Sequence, residues 1–323
     1  MASFARDQTR MKERSLVLFT LLMQTAASAY LVPIGMQLWF GDSLSGFDTT
    51  LLFRVVFWLV MGLSILGLLA SFLHLGSARN AWYALSNLRS SWLSREIFFS
   101  LLFTSGVSLF SVLGANTRPG LAMAALFVIT GLSGLALVYC MSRIYRLRTV
   151  PSWNSPVTGL SFWTTTLLLG GITSIASFYL TALYVINYQA SLPMLAELEW
   201  RNELVTLITP LTYLALTLIL IQVLLTSKHL PQKSHYKKDI SGKHKPIASL
   251  RQWFLGLGGS GLLLTILFLH NPSPSISTIA SLVIASWLCI VAGETLRKTA
   301  FYEARRQPGL VYPELPWSSN PQD

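Results

Sequence analysis

The sequence predicts an all-α fold, a polytopic integral membrane bundle of about eight transmembrane helices. Three observations carry that expectation. Of 323 residues, 52% are hydrophobic and only 11% charged, with a mean hydropathy of +0.54, whereas soluble domains carry about 25% charged residues. The hydrophobic residues fall in runs able to cross about 30 Å of hydrocarbon, which takes about 20 helical residues. The alternating ten-residue segments of a membrane barrel are absent, and a lone apolar strand would leave its backbone unsatisfied in lipid.

Eight runs emerge in order, and the whole of 1–323 reads as a single membrane domain. The first, 15–39, follows a polar stretch; it is longer than a signal-peptide core and lacks a small-residue cleavage site, so it is expected to stay as a span. The second, 52–75, closes on His74 and Leu75. The third, 93–114, opens with Leu93-Ser94-Arg95-Glu96. The fourth, 120–145, ends on Arg143-Ile144-Tyr145, and the fifth, 160–186, carries Gly170-Gly171. The sixth, 204–225, leads into a basic polar loop at 227–250. The seventh and eighth, 253–270 and 276–296, are short and joined by Asn271-Pro272-Ser273-Pro274-Ser275, which predicts a tight turn at the membrane surface. A polar tail covers 303–323, and no internal repeat is evident.

Charge orients the bundle. Of the 24 Lys and Arg residues, all but Arg54, Arg118 and Arg201 fall on the side that holds both termini and the second-to-third, fourth-to-fifth and sixth-to-seventh connections. The positive-inside rule therefore places both termini in the cytoplasm of a prokaryotic cell, with the chain in its cytoplasmic (inner) membrane. The net charge of +11 serves that orientation, and the basic loop reads as a solvated segment rather than a nucleic-acid site.

Several chemistries are disfavoured. Cys140 and Cys289 both lie in apolar runs, which supports neither a disulfide framework nor a thiolate metal site. A b-type haem needs two axial ligands at one depth; His74 lies at the basic face, His270 at the opposite end of the seventh span, and His229, His235 and His244 in the loop. No haem, iron-sulfur cluster or molybdenum centre is expected in this chain. Mid-span Asp, Glu and Lys are missing, which weakens a proton-coupled carrier, although a multi-pass permease stays open as the alternative.

The informative residues stand at span ends. An ionisable group at the mouth of a lipid-embedded helix is costly, and His74 and Glu96 converge on one face. Glu294, near the end of the last span, calls for a partner, with Arg297 or Lys298 within reach on the same helix. Gln24, near the middle of the first span, must hydrogen-bond, either as glue between helices or to a ligand. Trp82, Trp92 and Trp153 gather at the basic face, where interfacial tryptophan forms a belt. Gly170-Gly171 and Gly258-Gly259 suit close helix approach.

The stretch His74-Leu75-Gly76-Ser77-Ala78-Arg79-Asn80-Ala81, closed by Leu93-Ser94-Arg95-Glu96, resembles the second-to-third span segment of the membrane anchor subunits of bacterial dimethyl sulfoxide reductases. Arg143-Ile144-Tyr145 followed by Val150-Pro151-Ser152-Trp153-Asn154-Ser155-Pro156 resembles the family's Arg-x-Tyr and Val-Pro-Thr-Trp connection. Gly293-Glu294 followed by Phe301-Tyr302 resembles its final-span Gly-Glu and Phe-Tyr ending. The resemblance implies an eight-helix anchor that oxidises menaquinol and passes electrons to a four-cluster iron-sulfur subunit, which feeds a molybdopterin catalytic subunit. It also implies that His74 and Glu96 belong to the quinol site. A neutral imidazole and a carboxylate near water suit the two protons a quinol must lose. Arg79 and Arg95 are expected to hold Glu96 ionised, with Trp153, Gln24 and Glu294 as further candidates. The family is usually described with its termini facing outward, opposite to the orientation that the charge predicts.

Overall fold

The computed structural model describes residues 2–40, 49–74, 83, 85–113, 120–146, 153–188, 193–228, 241–271 and 273–303. They form eight long helices: α1 (Ala2–Phe40), α2 (Thr49–His74), α3 (Trp92–Leu113), α4 (Leu121–Ile144), α5 (Pro156–Tyr188), α6 (Pro193–Lys228), α7 (Ser241–Leu269) and α8 (Ile276–Glu303). A single 3-10 turn, Leu85–Asn87, precedes α3. Each long helix contains a stretch long and apolar enough to span a bilayer, and no strand occurs among the described residues. The chain is a multi-pass integral membrane protein.

Local chemistry sets the helix starts. Ser91 Oγ accepts the Ser94 amide at 3.2 Å at the head of α3, and Ser155 Oγ accepts the Val157 amide at 3.2 Å at the head of α5, each satisfying a donor that the first turn leaves open. Pro156 occupies the first position of α5, where its missing N–H costs nothing. Several helices overrun the hydrocarbon. α8 continues past residue 296 to Glu303, and α7 takes in 241–250, residues expected in the basic loop. A charge ends the apolar stretch but not the backbone hydrogen bonding, so a polar extension of a helix costs little once the helix is nucleated.

The helices pack as two rings of four. In the first, α1 to α4 each lie against the next and α4 returns to α1; α5 to α8 close in the same way. The rings join along α1 and α5, with α4 and α2 also touching α5, and α8 touching α1. Burial marks the centre: 78% of the spanning stretch of α5 and 67% of that of α1 is buried, against 28–39% for the other six. Small residues permit the approach. A Cβ on Gly170 of α5 would collide with Ser28 and come within 2.6 Å of the Ala29 amide nitrogen, so only glycine fits there. Gly258 and Gly261 do the same for α7 against Ile290 and Ser286 of α8, whereas a Cβ on Gly259 would meet Ile219 and Leu216 of α6 at ordinary contact distance and one on Gly171 would meet nothing within 4 Å.

The turn between α7 and α8 is clamped from α6. Arg201 donates to the carbonyls of Asn271 at 2.8 Å and Pro274, while Glu197 Oε1 accepts the Ile276 amide at 2.8 Å. Arg201, one of three basic residues off the basic face, is thus buried against a turn whose carbonyls would otherwise lack donors.

Candidate functional site

The up-and-down order puts the starts of α1, α3, α5 and α7 on the same end of the bundle as the ends of α2, α4, α6 and α8. At that end, where the rings meet, charged and aromatic side chains lie buried. Glu294, fully buried on α8, is the centre of an ionic network. Its Oε2 accepts from Thr165 Oγ1 at 2.7 Å and from Arg297 Nε at 3.0 Å, with Arg297 Nη2 at 2.9 Å. Its Oε1 lies 3.6 Å from Arg251 Nη2, and the same nitrogen donates to Gln222 Oε1 at 2.8 Å. Arg297 also donates to the hydroxyls of Ser161 and Thr165. Of the two partners expected for Glu294, Arg297 pairs with it and Lys298 is in no ion pair among the described residues. Arg251, a neighbour of the basic loop in sequence, supplies a further cation from α7. Glu294 stands more than two turns short of the end of α8, so the unfavourable dipole of a last turn does not act on it.

Lys298 is 1% exposed, and its Nζ sits 3.2 Å from the centroid of the Phe162 ring with no hydrogen-bond partner among the described residues. Gln24, also fully buried, donates through Nε2 to the carbonyl of the same Phe162 at 2.9 Å and to Thr166 Oγ1 at 3.0 Å; among the described residues its Oε1 accepts nothing. Gln24 thus fastens α1 to α5 with one half of its amide and leaves the other half unused.

Trp153 is 4% exposed and does not belong to an interfacial belt. Its ring stacks on Phe301 with centroids 5.0 Å apart, and its Nε1 donates to the Phe301 carbonyl at 3.1 Å. Tyr145 meets Trp153, Phe162, Phe301 and Tyr302 with centroids 5.2–5.6 Å away. The Tyr302 hydroxyl shares a hydrogen bond with Thr20 Oγ1 at 2.9 Å. The three stretches that the sequence singled out around Arg143, Trp153 and Phe301 therefore form one aromatic plug that ties α4, α5 and α8 to α1.

Glu96 is 5% exposed in the second turn of α3. Among the described residues no cation pairs with it. Arg95, expected to hold it ionised, turns away: its guanidinium donates to the carbonyls of Leu88 and Arg89, both at 2.7 Å, and covers the Trp92 ring at 4.2 Å. The short link before α3 presents those carbonyls to the nearest donor, which is why the arginine is engaged there. His74 closes α2 on the same end of the bundle; its side chain, and the whole of Arg79 and Trp82, lie outside the described residues. Among the described residues no three His, Cys, Asp or Glu side chains come together to hold a metal ion.

Sequence reasoning did not single out Thr165, Phe162, Lys298 and Arg251 as site residues. The spacing of Glu294, Arg297 and Lys298 in an otherwise apolar helix was a usable signal for Lys298; the α5 and α7 contributions depend on which helices neighbour α8, which no local pattern reveals.

The bundle and its one-ended ionic and aromatic cluster define a helical membrane subunit with a buried polar site at its basic face. The chain belongs to the family described as DMSO reductase anchor subunit (DmsC), which matches residues 8–304. It is 30% identical over 166 residues to an anaerobic dimethyl sulfoxide reductase chain of Haemophilus influenzae, covering 51% of this chain and 58% of that one. It is 33% identical over 168 residues to the anaerobic dimethyl sulfoxide reductase chain YnfH of Escherichia coli, covering 51% and 57%. A sulfite dehydrogenase subunit of Allochromatium vinosum is 32% identical over 162 residues, covering 46% and 49%. The chain thus spans about half the length of the curated relatives it matches. No solved structure matches it.

Proposed function

We propose that this chain is the quinol-oxidising anchor of a respiratory molybdopterin oxidoreductase. It binds menaquinol at the basic face and passes electrons to a four-cluster iron-sulfur subunit, which serves a molybdopterin catalytic subunit. Each quinol that becomes a quinone releases two protons and two electrons. His74 and Glu96 accept the protons and hand them to water at that face; the electrons leave for the partner's nearest cluster. The observation that carries the reading is Glu96, a carboxylate buried near the mouth of α3 without a paired cation among the described residues. A buried charge with no partner costs several kcal/mol, and a proton-accepting role supplies a reason for keeping it.

Two features support an electron-transfer anchor over a permease. Carriers place their substrate near the midplane on interrupted helices, whereas these eight helices are continuous and the buried Glu96, Arg251, Glu294 and Lys298 lie at one end. Two matched relatives belong to dimethyl sulfoxide reductases and another to a sulfite dehydrogenase; in this reading the catalytic partner sets the terminal substrate. The distribution of Lys and Arg favours a cytoplasmic location for both termini and the site.

The test uses the assembled complex. His74→Ala and Glu96→Gln should each abolish reduction driven by a naphthoquinol while reduction from a viologen dye, which feeds the soluble subunits directly, continues. Quinol turnover persisting in both variants would remove the site from this pair.

A further inference from the structure

Two arginines at the basic end of the first ring share one indole. The Arg95 guanidinium lies 4.2 Å from the centroid of the Trp92 ring, and that of Arg143, from the last turn of α4, lies 5.3 Å from it. The two cations are therefore within one Debye length of each other, about 10 Å at 0.1 M salt, and are not screened apart. Among the described residues no carboxylate pairs with either. Arg95 Nε and Nη2 donate to the carbonyls of Leu88 and Arg89, which orient the group without neutralising it. Arg143 Nε is buried and has no hydrogen-bond partner among the described residues. An indole face attracts a cation but carries no net charge, so the pair still calls for an anion.

The surface beside the pair decides the kind of anion. Tyr139, one turn before Arg143 on α4, meets the Trp92 ring edge-on with centroids 5.7 Å apart and is 47% exposed. Leu132 at 60% and Val128 at 56% continue the same face of α4 toward the middle of the span. From Arg143 to Leu132 the helix rises about 16 Å, close to the depth of one leaflet of hydrocarbon. The acidic patch of a soluble partner meets the arginines and leaves this apolar strip bare, and so does a free phosphate. A lipid covers both. Guanidinium groups match phosphate oxygens two at a time, and tryptophan and tyrosine suit the headgroup level. We propose that this face of α3 and α4 binds one anionic phospholipid, whose headgroup phosphate is held by Arg143 and neutralises the arginine pair, with an acyl chain laid along Tyr139, Leu132 and Val128. The site is independent of the quinol reading.

The full chain, solubilised in a neutral detergent, is titrated with dioleoyl phosphatidylglycerol or with dioleoyl phosphatidylcholine, and bound lipid is counted by native mass spectrometry. The unaltered chain should hold one phosphatidylglycerol about tenfold more tightly than phosphatidylcholine, which has the same acyl chains and no net charge; the preference corresponds to one charge-assisted hydrogen bond. Arg143→Gln should remove that preference. Arg143→Lys should weaken phosphatidylglycerol several-fold at constant net charge, because an ammonium lacks the planar fork. Arg54→Gln makes the same change of charge at an exposed position near the start of α2, at the other end of the bundle, and should leave the affinity unchanged. Equal binding of the two lipids by the unaltered chain would overturn the proposal, and so would equal losses in Arg143→Gln and Arg54→Gln. Displacement of the lipid by inorganic phosphate would reduce the site to one for a free anion and overturn the lipid. If Arg143→Gln keeps its affinity for phosphatidylglycerol but no longer co-purifies with soluble subunits, the face belongs to a protein partner and the proposal fails. Should Arg143→Gln not accumulate, Arg143→Lys decides, and undiminished affinity in it overturns the site.

Discussion

Removing the Glu294 carboxylate should be the most damaging single change in the ionic network. In Glu294→Ala, Thr165 loses its acceptor at 2.7 Å, Arg297 loses contacts at 2.9 and 3.0 Å, and Arg251 loses a countercharge at 3.6 Å. Arg251 is 4% exposed and the Arg297 side chain 18%, so water can hydrate neither guanidinium well. Breaking a buried pair by deleting one partner costs about 3–5 kcal/mol, because the remaining charge stays buried without compensation. The full carboxylate environment is worth less than the sum of its contacts, since burying Glu294 already costs several kcal/mol. Stability can be followed by titrating the detergent-solubilised chain with sodium dodecyl sulfate and reading the fluorescence of its 10 tryptophans. Glu294→Leu combined with Arg297→Leu should be less destabilised than Glu294→Leu alone, with Gln222 still bonded to Arg251. A loss of under about 1 kcal/mol in Glu294→Ala, as for an exposed ion pair, would refute the argument. So would a double variant as unstable as the sum of the two singles, because the coupling energy would then be zero.

Gly170→Val should push α1 from α5 and destabilise the chain by about 1–3 kcal/mol or more, the usual penalty of overpacking, measured in the same titration; Gly171→Val, with no neighbour within 4 Å of an added Cβ, serves as its control and should cost far less. Arg201→Ala should cost about 1–3 kcal/mol by orphaning the carbonyls of the α7–α8 turn, and should expose that turn to proteolysis in detergent. For orientation, a cysteine placed at Ser191 should react with an impermeant reagent in intact cells and one at Ser234 should not; the reverse pattern would put the termini and the site on the outer face.

How legible this was in the sequence depended on range. The number of apolar runs and the face that carries the cations follow from local hydropathy and charge, and the eight long helices agree with the fold class read from them. The central positions of α1 and α5 follow from a different quantity. A helix buried among other helices tolerates Thr164, Thr165, Thr166, Ser174 and Ser177, all buried here, because neighbours or its own turns accept their hydroxyls: Thr165 donates to Ser161 and Ser174 to Gly170. Hydroxyl content alone does not mark the centre, because α3 carries as many hydroxyls for its length while only 33% of its spanning stretch is buried. Arg251 was hidden for the reverse reason. It continues a run of loop cations in the sequence, and only the packing of α7 beside α8 brings it to Glu294.

The cluster also constrains how the two rings can have come to cooperate. Gln24 comes from the first ring and Phe162, Glu294 and Lys298 from the second. The Thr20–Tyr302 hydrogen bond and the Gln24–Phe162 hydrogen bond cross the same seam. A site built on one ring would survive small sliding at the seam; one built across it would not. The glycine contact at Gly170 and the aromatic plug around Tyr145 fix the seam on both sides of the polar groups, as positioning a ligand to within a fraction of an ångström requires.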